Sequence, residues 1–147
     1  MQDERGIPST DPAPGAPNII VDAQRFETFH PEKRSGVRLY TSDQCDVLMV
    51  CWEPGQVSSF HDHGPSESIV HVLRGVLEVR GDGIDPTRLT TGQVVITPVG
   101  TRHQLANPGP DQLVTLHFYS PRMQTPMSGP ITDCRAAIYP QTAAGVR

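Results

Sequence analysis

The sequence predicts an all-β domain, a sandwich or a closed barrel of short strands. Three observations carry this expectation. Apolar segments recur at strand length, and none approaches the length of a membrane span. Glycine and proline are plentiful, 13 and 15 of 147 residues, and they fall between those segments as turn signals. A short helix is plausible only upstream, somewhere within residues 22–29. At this length the chain fits one domain with enough interior to bury a core.

The elements follow in order. Residues 1–17 are rich in Pro, Gly, Ser and Asp and are predicted to form a disordered tail, leaving 18–147 as a single domain. Residues 45–52 (CDVLMVCW) form a nearly continuous apolar run that Pro54-Gly55 ends. Residues 68–73 and 76–80, joined at Arg74-Gly75, read as a hairpin. A loop at Gly81-Asp82-Gly83 leads to a short strand at 88–91 and a stronger one at 93–97 (QVVIT). Pro98-Val99-Gly100 turns the chain toward 105–107, and after Pro108-Gly109-Pro110 the last strong strand is 113–119 (LVTLHFY). Beyond Pro121 the chain is proline-interrupted and is expected to wrap the outside.

A net charge of -4 gives no basic footprint for nucleic acid or an anionic membrane. The three cysteines, Cys45, Cys51 and Cys134, form no C-x-x-C pair and are odd in number. They suit inert thiols in a reducing compartment rather than a disulfide framework. The N-terminus shows no basic region followed by an apolar core, so a soluble, cytoplasmic protein is expected.

Six histidines are available for chemistry. His61 and His63 flank Asp62, and on extended backbone residues two apart face the same side, so both imidazoles can meet one metal ion. Taken alone, the pair is equally a solvated polar turn. The surrounding spacing adds to it. Gly55 is followed by five residues, His61-Asp62-His63, four residues, Ser68, six residues and Gly75. A second block runs Gly92, five residues, Pro98, one residue, Gly100, two residues, His103, three residues and Asn107. These blocks resemble the two signature motifs of the cupins, with 16 residues between Gly75 and Gly92. The resemblance implies a jelly-roll β-barrel and a divalent metal on His61, His63 and His103. Ser68 stands where many cupins place a glutamate ligand. Glu67 is one residue off that register and would face the metal only if the strand were shifted by one. The glycines have a plain mechanical reading as tight turns, and His71 and His30 read as residues outside the site.

Within the cupins, CWEPGQVSSFHDHG, SIVHVLRGVLEV and LVTLHFYSP are similar to the cysteine dioxygenase (thiol dioxygenase) family, over residues 38–121. That resemblance implies an Fe(II) enzyme that oxidises a small thiol, cysteine or a related mercapto acid, to its sulfinate with O2. Three neutral ligands leave the ion its full charge and open positions, and a coordinated thiol is readily deprotonated. Thr115, His117 and Tyr119 alternate along one strand and share a face. They match the family's Ser-His-Tyr relay, although a core tyrosine bonded to a buried histidine would look the same. Ser68 replaces the cysteine that mammalian-type members cross-link to the tyrosine, which implies a bacterial-type site. The family also implies an arginine for a substrate carboxylate, since guanidinium grips it with two hydrogen bonds. Tyr40-Thr41 is followed by Ser42 rather than arginine, which leaves Arg38 or Arg122 for that role, or a surface position for each. Rival readings are a metal- or thiol-binding cupin without catalysis, and a cupin isomerase or other dioxygenase on Zn(II), Mn(II) or Ni(II). The state of association is expected to be monomer or homodimer.

Overall fold

The computed structural model describes residues 23–83, 85–124, 127 and 129–133. The predicted N-terminal tail and Cys134 lie outside them. Nine strands follow one short 3-10 turn, Ala23–Phe26. They are β1 Ser35–Thr41, β2 Asp46–Trp52, β3 Glu67–Arg74, β4 Val76–Gly81, β5 Thr87–Thr90, β6 Val94–Thr97, β7 His103–Ala106, β8 Leu113–Ser120 and β9 Ile131–Asp133. One sheet has the order β6-β3-β8-β2-β1-β9 and the other β5-β4-β7. All pairs are antiparallel except β1 with β9. The architecture is a jelly-roll barrel of two facing sheets. Among the described residues no helix is long and apolar enough to cross a membrane.

The patterning explains the layers. β3 alternates, with Ser68, Val70 and Val72 buried and Glu67 and Ile69 exposed, as a strand covered on one face does. β2 is buried on both faces, which is why it reads as an unbroken apolar run. Leu48, Val50 and Trp52 point between the sheets, where they meet Val70, Val72, Leu77, Leu105 and Leu113. Met49 and Cys51 point the other way and pack with Val37 and Val114 under Phe26 and Phe29. Cys51 is thus a buried core thiol, as expected, and Cys45 is free and half-buried.

Two expectations are corrected. β3 and β4 do not form a hairpin, because they lie in different sheets: β3 pairs with β6 and β8, and β4 with β5 and β7. Gly75 makes the crossing. Its φ is +90°, and a Cβ there would lie 2.6 Å from the Gln112 carbonyl oxygen, so only glycine lets the chain pass from sheet to sheet. The segment after Pro121 does not merely wrap the outside, since it returns as β9 beside β1.

Candidate functional site

The three predicted histidines converge. His61 and His103 form an isolated antiparallel bridge, N–H to carbonyl both ways at 2.9 and 2.8 Å. This ties the loop between β2 and β3 to the start of β7 in the opposite sheet. His63 follows two residues later, as an extended H-x-H pair requires. Asp62 lies at the rim, and its Oδ1 accepts the Gly64 N–H at 2.8 Å. His61 Nε2 is 3.1 Å from His63 Nε2, which is 3.3 Å from His103 Nε2. Three imidazole nitrogens sharing one divalent ion at about 2.0–2.1 Å would be about 3.0–3.4 Å apart, so the set fits a metal ion. Ligand atoms of these three residues all lie within 4.8 Å of one another, with no carboxylate in the group.

The protonation states agree with ligation. His61 Nδ1 lies 2.7 Å from the Ser59 carbonyl, an acceptor only, so this nitrogen carries the proton and Nε2 offers its lone pair. Burial, reinforced by the charge of the neighbouring imidazoles, pushes His63 and His103 down from 6.5 to about 4. Both are therefore neutral near pH 7, the form a metal binds.

Beside them stands the second predicted group. On β8, Thr115, His117 and Tyr119 face inward between Val50, Leu48 and Asp46 of β2 and Val72, Val70 and Ser68 of β3. Thr115 Oγ1 is 2.7 Å from His117 Nε2, and His117 Nδ1 is 2.9 Å from the Tyr119 hydroxyl. Trp52, the last residue of the apolar run 45–52, extends the chain: its indole N–H donates to Thr115 Oγ1 at 3.0 Å. Burial first, then the charge of Arg34, lowers His117 to about 3, so it carries one ring proton. If that proton were on Nε2, Thr115 would accept twice and its own buried hydroxyl proton would be stranded. The arrangement that serves every buried donor runs Trp52 to Thr115, Thr115 to His117 Nε2, and His117 Nδ1–H to the Tyr119 oxygen. The Tyr119 proton is then free to be donated into the cavity. Burial raises the Tyr119 phenol above its usual range, so it stays protonated. Its ring lies edge-on to His63, centroids 5.1 Å apart.

His61, His117 and Tyr119 open on a cavity of about 270 Å³, whose walls include Val50, Trp52, Leu105, Met123 and Met127. Arg34, which the sequence reading did not single out, also lines it. Its guanidinium sits over the Trp52 ring, 5.3 Å from the centroid. The available signal was alternation: Arg34 is two and four residues from Gly36 and Arg38, so all three share a face if β1 is extended. Arg38 and Arg122 do not line this cavity; both line a neighbouring one. Ser68 is buried, directly opposite Tyr119 on β3, with its hydroxyl unpartnered among the described residues, and is not in the cavity wall. Glu67 is exposed, so the register places Ser68 and not Glu67 inward. His71 is on the outward-alternating set of β3.

The family described as "Cupin domain" matches residues 48–119. Among solved structures, TT1209 from Thermus thermophilus is 26% identical, with a TM-score of 0.66 over 71% of this chain and 99% of that one. A conserved protein with a double-stranded beta-helix domain from Klebsiella pneumoniae is 22% identical, with a TM-score of 0.65 over 71% of this chain and 91% of its own. An RmlC-like cupin from Desulfovibrio desulfuricans is 21% identical, with a TM-score of 0.60 over 74% and 98%. The domain match over residues 48–119 and the likeness to these solved structures identify the two-sheet barrel as a cupin fold.

Proposed function

We propose that the protein is a thiol dioxygenase that converts a small thiol carrying a carboxylate to its sulfinate with Fe(II) and O2. The observation that carries this reading is the hydrogen-bonded Thr115-His117-Tyr119 chain set edge-on to a three-histidine cluster with no carboxylate. His61, His63 and His103 would hold the metal. When bound, it would supply a Lewis acid with open positions for a thiolate and dioxygen. The balance is thiolate plus O2 to sulfinate, with both oxygen atoms ending on sulfur and the thiol proton released on binding.

The chain's own residues have distinct tasks. Arg34 holds the substrate carboxylate by its guanidinium fork, braced over Trp52. Tyr119 donates its free hydroxyl proton as a hydrogen bond to the reacting oxygens or sulfur, and His117 and Thr115 fix the direction of that donation. Val50, Leu105 and Met123 exclude water from the alkyl part of the thiol.

The test is oxygen uptake by Fe(II)-loaded protein given cysteine, 3-mercaptopropionate and cysteamine in parallel. At least one carboxylate-bearing thiol is expected to be turned over, and cysteamine, which lacks the carboxylate, at least about tenfold less efficiently. Arg34→Met should abolish that preference. Iron-loaded protein that consumes no oxygen with any thiol overturns the reading in favour of a binding cupin without turnover.

A further inference from the structure

Arg38 and Arg122, which the sequence offers as alternatives for one role, line a single second cavity of about 320 Å³. It adjoins the histidine cavity, since Met123 and Met127 line both. Gly36 lies between Arg34 and Arg38 on the inward face of β1, paired with Val50, while Arg38 pairs with Leu48. A Cβ on Gly36 would come 3.1 Å from Met127 Cε, so Met127 occupies the space that a side chain there would fill. Arg34 serves the cavity on one side of this plug and Arg38 the cavity on the other.

Arg38 Nε is buried and has no hydrogen-bond partner among the described residues. Buried donors are seldom left unpaired, and an orphan of this kind asks for an acceptor. Nε is also one of the two atoms on the guanidinium edge that takes a carboxylate side-on. The acid in the cavity, Asp46, is already engaged: its Oδ1 accepts from Thr41 Oγ1 at 2.6 Å and its Oδ2 from the Met123 N–H at 3.2 Å. Asp133 lies in register with Arg38 on β9. Leu48, Met123, Met127 and Ile131 supply apolar wall.

We propose that this cavity is a second, separate binding site for a small organic carboxylate. The carboxylate sits on the Nε edge of Arg38, Arg122 approaches from the exposed rim, and an alkyl body lies against the methionines. Two guanidinium groups set against Asp46 leave about one net positive charge, which suits a monoanion and disfavours a phosphate dianion. The site stands independently of the thiol dioxygenase reading, because it uses neither the histidines nor the relay.

The experiment is calorimetric titration of butyrate into the full chain carrying Arg34→Met, so that the guanidinium of the histidine cavity cannot contribute. One equivalent of butyrate is expected to bind, and inorganic phosphate about tenfold more weakly. Adding Arg38→Met should weaken butyrate by about tenfold or more, and adding Arg122→Met by about threefold. No butyrate binding at millimolar concentration, unchanged affinity without Arg38, or phosphate binding as tightly as butyrate would each overturn the proposal. If circular dichroism shows Arg38→Met unfolded, the exposed Arg122→Met decides, and unchanged affinity there overturns it too. No thiol, iron or oxygen enters the titration, so failure here leaves the dioxygenase reading untouched.

Discussion

The two polar groups inside the barrel differ in how they are satisfied. The relay on β8 is closed: Trp52, Thr115, His117 and Tyr119 pass hydrogen bonds from one to the next, and only the terminal phenol proton is left to offer. It is carried by adjacent central strands, β2 and β8, whose register fixes each side chain. The histidine cluster is open. Its three Nε2 atoms face one another at 3.1 and 3.3 Å, His63 Nδ1 has no partner among the described residues, and its members come from a loop and from the opposite sheet. Three neutral imidazoles satisfy one another only in part at that spacing, because a single Nε2–H among them leaves the other Nε2 lone pairs facing inward. A completed network orients, whereas an incomplete one of this kind calls for a cation.

That contrast can be broken at either end. The largest effect is expected from His103→Ala: iron content, measured by elemental analysis after dialysis, should fall from about one per chain to near zero, and activity with it. Full iron retention would remove His103 from the ligand set. Tyr119→Phe should keep the iron and lower kcat about a hundredfold, since one preorganised donor is lost. An unchanged kcat would reduce Tyr119 to a core residue. Thr115→Val should leave the Trp52 indole and His117 Nε2 without their partner, costing about 1–3 kcal/mol in chemical denaturation, and Thr115→Ser should restore most of it. Equal stability of the valine variant would show that the chain of hydrogen bonds is not stabilising.

The smallest effect expected is on pH dependence. His63 and His103 are lowered to about 4 and His117 to about 3, in each case chiefly by burial. The unfolded chain, with imidazoles near 6.5, therefore binds more protons than the folded one between pH 6.5 and about 4. Stability from these groups is complete above pH 6.5 and declines as pH falls through that window. The Tm of the metal-free protein should drop by about 5 °C or more from pH 7.5 to pH 5. A flat Tm would mean that the imidazoles are charged or solvated in the fold.

Much of this was legible in the sequence. The apolar runs at β2, β3, β6 and β8 stood out because each packs a face against the core, and the H-x-H pair and His103 were fixed by turn glycines around them. β1 was not delineated because its inward positions carry Gly36 and Arg38 beside Arg34, which breaks the apolar alternation that marks a strand. For the same reason Arg34 escaped notice, while Arg38, one of the two alternatives for a carboxylate, lines the neighbouring cavity. The β3–β4 hairpin was misread because Arg74-Gly75 looks like a two-residue turn. What decides between a turn and a sheet crossing is the approach of Gly75 to Gln112, a contact distant in sequence.

Trp52 is the chain's single tryptophan, and it touches both groups that define the cavity: its N–H donates to Thr115 and its ring lies under Arg34. The tryptophan emission of the whole protein therefore originates at one point, a few ångströms from where a substrate anion would meet the guanidinium. Neutralising Arg34 with a bound carboxylate changes the field on the excited indole, so the native protein carries its own optical probe of occupancy, and no label has to be introduced to follow it.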